Sequence, residues 1–524
     1  MPARKPNSGA RPAIPGKLAP GMRLPRELVA ESQRARLGIA LVELVDAQGF
    51  ADTSLADLTA RAHVARAAFY EHFGSMEGCF TAAYDDHLAR GAGQLVAAYN
   101  APGMEDDERA HAALSALAAF AQVWPAAARV CLGDVLTVAQ GKVEAREQEL
   151  EGARALLDSA LGPDGAHTTY APLLLTATIG AIRRALYVHL RERPARELLA
   201  LAEQMSDWVR VYDNELPAID GGDWGAALGA AGHLGAVGAS SGDMGASGLT
   251  PDDGPKERIL AAVLRLAANG EGESISLADI AATAGVSFGT FYKHFRTSQD
   301  ALLAACEAVH GRLIERAREA YAIGLDRPAG DEVLVADSGP LAGEGPATPA
   351  PALRGVDGDA LAASGQAAGE DGALRAAPAD RPPGAPAWAV GIAHALGAYL
   401  VAAATNPAAT RTMVLGSLGL GRPGLDFLDR RAQALKQLLG PGLRAHPDLP
   451  AATADMLAGA ILEVLHDHAL RGQLERLPEL HEQLTCIVLA PLLGAHEGPV
   501  PAEHVLETPR SSTTIAAKRA RARR

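Results

Sequence analysis

Residues 276–295, SLADIAATAGVSFGTFYKHF, return 222 positions earlier as SLADLTARAHVARAAFYEHF at residues 54–73, without a gap. A chain that carries one twenty-residue pattern twice is built of repeated units, so the fold of one copy constrains the whole. In the second copy Leu277, Ile280, Ala281 and Ala284 fall at i, i+3, i+4 and i+7, the spacing of one buried helical face. Gly285 follows, where a left-handed backbone costs glycine nothing. Ser287 stands where an N-cap hydroxyl accepts from an orphan amide of the next helix. That helix buries Phe291 and Phe295 and leaves Phe288, Gly289, Thr290, Tyr292 and Lys293 free to face outward. Helix, glycine turn and capped helix make the helix-turn-helix plan, whose second helix enters the major groove by its N-terminal end.

Asp279-Ile280-Ala281, Ala284-Gly285-Val286-Ser287, Gly289-Thr290-Phe291-Tyr292 and His294-Phe295 stand at fixed spacing. Residue by residue the segment resembles the DNA-binding segment of the TetR family of bacterial transcriptional regulators. The resemblance implies double-stranded DNA as partner, a ligand-responsive repressor as activity, and an unknown small-molecule effector. It implies phosphate contacts from Tyr70, His72, Tyr292 and His294, which position a protein without reading sequence. Ser287, Phe288, Thr290 and Lys293 would meet the DNA in the second head, and Arg66 in the first. One departure stands out: the family usually places a phosphate-contacting lysine where this chain has Met76 and Ser298.

The two copies differ. His63 replaces the turn glycine, which at a left-handed position costs about 1–2 kcal/mol. Ala65 replaces the capping serine, a further ~1 kcal/mol. Against that, Arg66 opens the first recognition helix with the side chain best shaped to read guanine, and the second copy has no such arginine. The first copy is thus either a working head or a module kept for packing.

At 524 residues the chain exceeds a single core and suggests three or four compact units. Alanine and glycine dominate, and few β-branched runs alternate with polar residues, so the expected fold class is all-α: two tandem TetR-like units, each a three-helix head followed by a helical ligand-binding and dimerisation body. A formal charge of −14 mildly opposes nucleic acid, so any DNA-binding face is local. Cys79, Cys131, Cys306 and Cys486 lie far apart and form no CxxC, as in a reducing cytoplasm. No run is expected to approach ~20 apolar residues and no signal-type core opens the chain, which predicts a cytoplasmic protein with no membrane partner.

Along the chain, residues 1–30 form a basic arm expected to be disordered, either a follower of the DNA backbone or a solubilising tail. Head one spans 31–75 and its helical body 76–217, with helices near 107–123, 125–140, 142–161, 168–191 and 195–213. A Gly-rich linker occupies 218–254, with a span of roughly 30–36 Å as a coil. Head two spans 255–297, and its body spans 298–324 and 387–495. Its fourth helix is expected to end near Ala322. The Pro/Gly/Ala-rich stretch 325–386 reads as a disordered insertion, because Gly180, Ile182, Leu186 and His189 match Gly459, Ile461, Leu465 and His468 only after the repeat offset has grown to 279. Residues 496–524 end in the basic cluster KRARARR, a disordered tail.

Other constellations are weak. In His466-Asp467-His468 the two histidines, at i and i+2, point to different helical faces, so the motif reads as a helix face rather than a metal site. The sequence GSLGLG at 416–421 lacks the preceding strand and following lysine of a phosphate loop and reads as an inter-helix turn. No catalytic constellation is recognisable, and no cofactor is implied, so an enzyme is not expected. Phe120, Trp124 and Cys131 in one half, and Tyr399 and Met413 in the other, lie on apolar helix faces that either line an effector pocket or are simply core. The rival to a DNA-binding regulator is a ligand-sensing or protein-interaction scaffold with one or both heads inactive. Pairing through 168–191 with 195–213 and 453–472 with 476–494 gives either an internal pseudo-dimer or a homodimer of whole chains.

Overall fold

A computed structural model describes residues 25–104, 106–134, 171–212, 254–269, 275–326 and 386–493. Among them every regular element is helical and none is a strand. The expected helix at 142–161, most of the linker and the insertion, and the chain termini lie outside the described residues.

Head one consists of α1 (Arg26–Gln48), α2 (Leu55–Ala62) and α3 (Arg66–Phe73). Ser54 starts α2 by accepting from the Asp57 amide at 3.1 Å while its hydroxyl donates to the Asp57 carboxylate. The body continues with α4 (Met76–Tyr99), α5 (Asp106–Val123) and α6 (Pro125–Arg129), which runs into a π-helical turn at Val130–Asp134. Then come α7 (Ala171–Glu192) and α8 (Leu198–Arg210).

The second half repeats the plan with α9 (Pro255–Asn269), α10 (Leu277–Ala284), α11 (Phe288–His294) and α12 (Ser298–Asp326). Thr297 and Asp300 cap α12 reciprocally, each side chain accepting from the other's amide at 3.0 Å. This helix runs to Asp326, four residues past the expected stop at Ala322, so Leu325 and Asp326 belong to it rather than to the insertion. The body is completed by α13 (Ala387–Thr405), α14 (Pro407–Val414), α15 (Arg422–Ala445), α16 (Thr453–Leu470) and α17 (His481–Leu493). The GSLGLG stretch forms a short 3₁₀ turn, Gly416–Leu420, between α14 and α15. In the His466-Asp467-His468 stretch, Asp467 pairs with Arg471 at 3.0 Å and His468 Nδ1 bonds the Val464 carbonyl.

Core positions correspond between the heads. Leu37, Leu41, Leu58 and Phe69 in the first and Ile259, Val263, Ile280 and Phe291 in the second are fully buried. Head one nevertheless keeps a core of its own, joined by Ala127 of α6 and Val130 just after it, whereas head two is continuous with the core of both bodies. Arg129 fastens head one to its body: two nitrogens reach the Asp46 carboxylate at 2.6 Å and a third donates to the Leu190 carbonyl. The corresponding pair is missing in half two, where Ala268 stands in register with Asp46.

The two halves meet where α7 crosses α16. A Cβ added at Gly180 would overlap the Gly459 carbonyl oxygen and the Glu463 side chain, and one at Gly459 would overlap Gly180 and Arg184. Only glycine allows these backbones to come so close. Around the crossing, Arg183 pairs with Glu463 and both Arg184 and Arg191 pair with Asp429. Tyr212 donates to the Ile487 carbonyl at 2.8 Å, and the Ala452 amide donates to Gln204 at 3.3 Å.

One expectation is corrected. Residues 172–192 and 387–405 are each long and apolar enough to span a membrane by length and composition. The reason is packing: α7 lies in the seam and α13 against α12, so both use their apolar length inside the protein, and 78% and 61% of their most apolar windows are buried.

Candidate nucleic-acid interface

Each recognition helix is set by the turn before it. In head two α10 ends on Gly285 at φ 62°, ψ 39°, and Val286 closes the turn by donating to Ala281. In head one α2 ends on His63 at φ 52°, ψ 46°, with Val64 donating to Thr59 in the same manner. His63 is the only non-glycine residue with positive φ among the described residues. The turn survives the substitution, and the structure supplies a support that the sequence pattern did not reveal. Arg36, only 4% exposed, donates from Nη2 to the His63 carbonyl at 2.8 Å. Its counterpart Arg258 is exposed.

The caps separate the heads further. Ser287 Oγ accepts from the Thr290 amide at 3.1 Å and shares a hydrogen bond with the Thr290 hydroxyl. Ala65 has the same extended backbone but makes no side-chain cap.

Beyond the turn, Phe291 and Phe295 pack inward and Phe288 and Tyr292 stand out at 53% and 58% exposure. Ser287, Lys293 and His294 are exposed as well, and Thr290 is half-buried. This puts a hydroxyl, an ammonium, an imidazole and two aromatic rings on one short helix. In head one Arg66 and Tyr70 are exposed. His72 is placed differently from His294. It is half-buried, its Nε2 bonds Gln33 Oε1 on α1 at 2.8 Å, and burial, with Arg34 nearby, holds its pKa below the usual histidine value. Position 255, in register with Gln33, is a proline, which offers His294 no such partner.

Two basic residues escaped the sequence reading. Arg34 lies close enough to influence His72, and its counterpart in register is Lys256; both are exposed on the first helix of their head. The available signal was their shared position in the repeat, which only emerges once the repeat is extended upstream of Ser54.

The residues singled out for an effector pocket are dispersed. Phe120 is buried against Gly91, Trp124 packs edge-on against His87, and burial pushes the Cys131 thiol up to about 12. Tyr399 and Met413 are fully buried in the other body. Two cavities lie along the seam, of about 130 Å³ beside His189 and Gln204 and about 60 Å³ beside Arg183 and Arg431, and none of those five residues lines either. No group of three or more potential metal ligands occurs among the described residues.

Two capped or supported helix-turn-helix heads on helical bodies define a duplicated regulator of the helix-turn-helix class. The family model described as bacterial regulatory proteins, tetR family, matches residues 40–83 and again 259–306, the two heads just described. Both heads thus match the TetR family's DNA-binding module, which this one polypeptide carries twice. Among solved structures, that of a TetR-like transcriptional regulator from Rhodococcus sp. RHA1 is similar at 21% identity over 36% of this chain and 98% of that one, with a TM-score of 0.30. No curated protein matches.

Proposed function

We propose that the protein is a sequence-specific, ligand-responsive DNA-binding repressor acting in the cytoplasm, with two unlike heads in one chain. The observation that carries this reading is α11, a capped helix that buries Phe291 and presents Phe288, Tyr292, Lys293 and His294 to solvent. Exposed aromatic rings are costly on a surface that meets only water. Beside a duplex they stack against sugar and phosphate while Lys293 meets the backbone or a base edge. In head one Arg66 reads a base edge, and Tyr70 and Arg34 hold phosphate.

The Gly180–Gly459 crossing supports an internal pseudo-dimer, in which the halves of one chain pair as two subunits would. Unlike heads then call for an operator with two unlike half-sites about one helical turn, or a multiple, apart. Selection from a random duplex pool, followed by mobility shift at two salt concentrations, tests this. A bipartite, asymmetric consensus supports it, and retardation no stronger than on random competitor overturns it. Light scattering near the chain mass of 54 kDa supports the internal pair, and twice that value removes it.

A scaffold with one silent head is the second reading, favoured by His72 bonding Gln33 and by the uncapped Ala65. An operator footprint confined to one half-site, unchanged by Arg66→Ala, would select it.

A further inference from the structure

We propose that the cavity of about 60 Å³ at the seam of the two halves binds a small aliphatic carboxylate, anchored by Arg431. The effector role of that ligand rests on the regulator reading; its binding does not.

Arg431 lies on α15 and is only 2% exposed. It lines the cavity together with Val414, Leu418 and Leu428 of its own half and Leu132 and Tyr187 of the other. Its Nε and Nη2 both lack a hydrogen-bond partner. Those two N–H groups lie along one edge of the guanidinium, at the spacing of the two oxygens of a carboxylate. A guanidinium does not give up its proton, so burial leaves a full charge to be matched.

Nothing around Arg431 matches it. The Phe427 ring lies 6.0 Å away and offers only its face. Tyr399 lies beside the guanidinium and offers it a hydroxyl, but burial holds that hydroxyl un-ionised, so it supplies a dipole and no charge. Burial pushes the Cys306 thiol up to about 12, and the thiol donates to the Thr412 carbonyl. His310 is pushed down to about 3 by burial, then by Arg431 and Arg318, and neither of its nitrogens has a partner.

The other charges on the wall are already matched: Arg183 by Glu463, and Arg184 by Asp429 and Asp455. One cation is left over, which fits one monoanion. The volume admits on the order of four water-sized groups, and Leu132, Val414, Leu418, Leu428 and Leu462 give the wall its apolar share. A carboxylate on a short aliphatic chain meets both demands. Because the wall comes from both halves beside the Gly180–Gly459 crossing, occupancy also touches the seam between them.

The test is calorimetry on the full chain without DNA, titrating acetate, butyrate and isobutyrate, with isobutyramide and chloride as controls. One carboxylate per chain should bind saturably, at least about tenfold tighter than the amide, and raise the melting temperature by about 3 °C or more at a hundredfold excess over Kd. Arg431→Met keeps the volume without the charge and should abolish binding while preserving the helical signal. Should that variant fail to fold, Arg431→Lys should weaken binding at least about tenfold, because an ammonium lacks the fork. No binding of any carboxylate at about 10 mM, equal binding of chloride or amide, or undiminished binding after either substitution overturns the site. The mobility shift without carboxylate tests the regulator reading separately, so either can fail alone.

Discussion

Replacing His63 with glycine and Ala65 with serine should stabilise head one, and the structure fixes how much. His63 sits at φ 52°, ψ 46°, inside the left-handed region that costs a residue with a Cβ about 1–2 kcal/mol. Its side chain is exposed, so glycine sacrifices no packing, and the carbonyl that Arg36 holds remains in place. Glycine's extra freedom in the unfolded chain takes back about 0.4–1 kcal/mol. Ala65 already has the extended backbone of an N-cap, so serine needs only to turn its hydroxyl toward the amide of residue 68, as Ser287 does toward Thr290, for about 1 kcal/mol. The net gain is about 1–2.6 kcal/mol. Because head one has a core of its own, it should open as a unit below the global unfolding energy. Amide exchange at residues 58–73 should then slow by about 5–80-fold in the double variant, with residues 280–295 unchanged. The reciprocal changes, Gly285→His with Ser287→Ala, should speed exchange in head two unless an arginine is brought to the turn. Protection of head one unchanged within twofold would refute the strain argument and mean that Arg36 has already relieved it.

Gly180→Leu should force α7 and α16 apart, because even a Cβ overlaps the Gly459 carbonyl; a loss of about 1–3 kcal/mol in denaturant melts is expected, and an unchanged melt would count against the crossing. Arg129→Met should cost about 1.5–3 kcal/mol by removing the charged hydrogen bonds to Asp46, and it should weaken only the half-site bound by head one in a footprint. His310 is held neutral by burial, with its pKa lowered to about 3, so protonation favours the unfolded chain. Its contribution is complete above pH ~6.5 and is lost as pH falls from there toward 3, on the order of 5 kcal/mol at the acid end. His310→Leu should flatten that acid limb of the stability profile, and an unaltered limb would show that other groups set it.

Much of this was legible in one sequence because its determinants are local. The repeat at 222 residues, the cap at Ser287, the strained position of His63 and the inward phenylalanines all follow from residues a few positions apart. Hydrogen bonds within a turn and periodic burial on one helix need no knowledge of the rest of the chain. The glycine pair at 180 and 459 was visible as a register match, and its use as a crossing point agrees with what small side chains permit. Gln33 and Arg36 were out of reach, since they act on His72 and His63 across 39 and 27 residues of chain.

Only the tertiary structure separates Arg430 from Arg431. As a dipeptide on an amphipathic helix they read as two solvated cations, and Arg430 does pair with Glu307 near the surface. Arg431, a hundred degrees further round the helix, is turned beneath α12 and α13 among Cys306, Tyr399 and Phe427. Sequence settled that the chain is helical, duplicated and built around two helix-turn-helix heads, because caps, turns and periodicity are written in neighbouring residues. Which arginine is buried, which histidine is tied down and where a charge is left over were decided by helices well separated along the chain, whose packing no local pattern encodes.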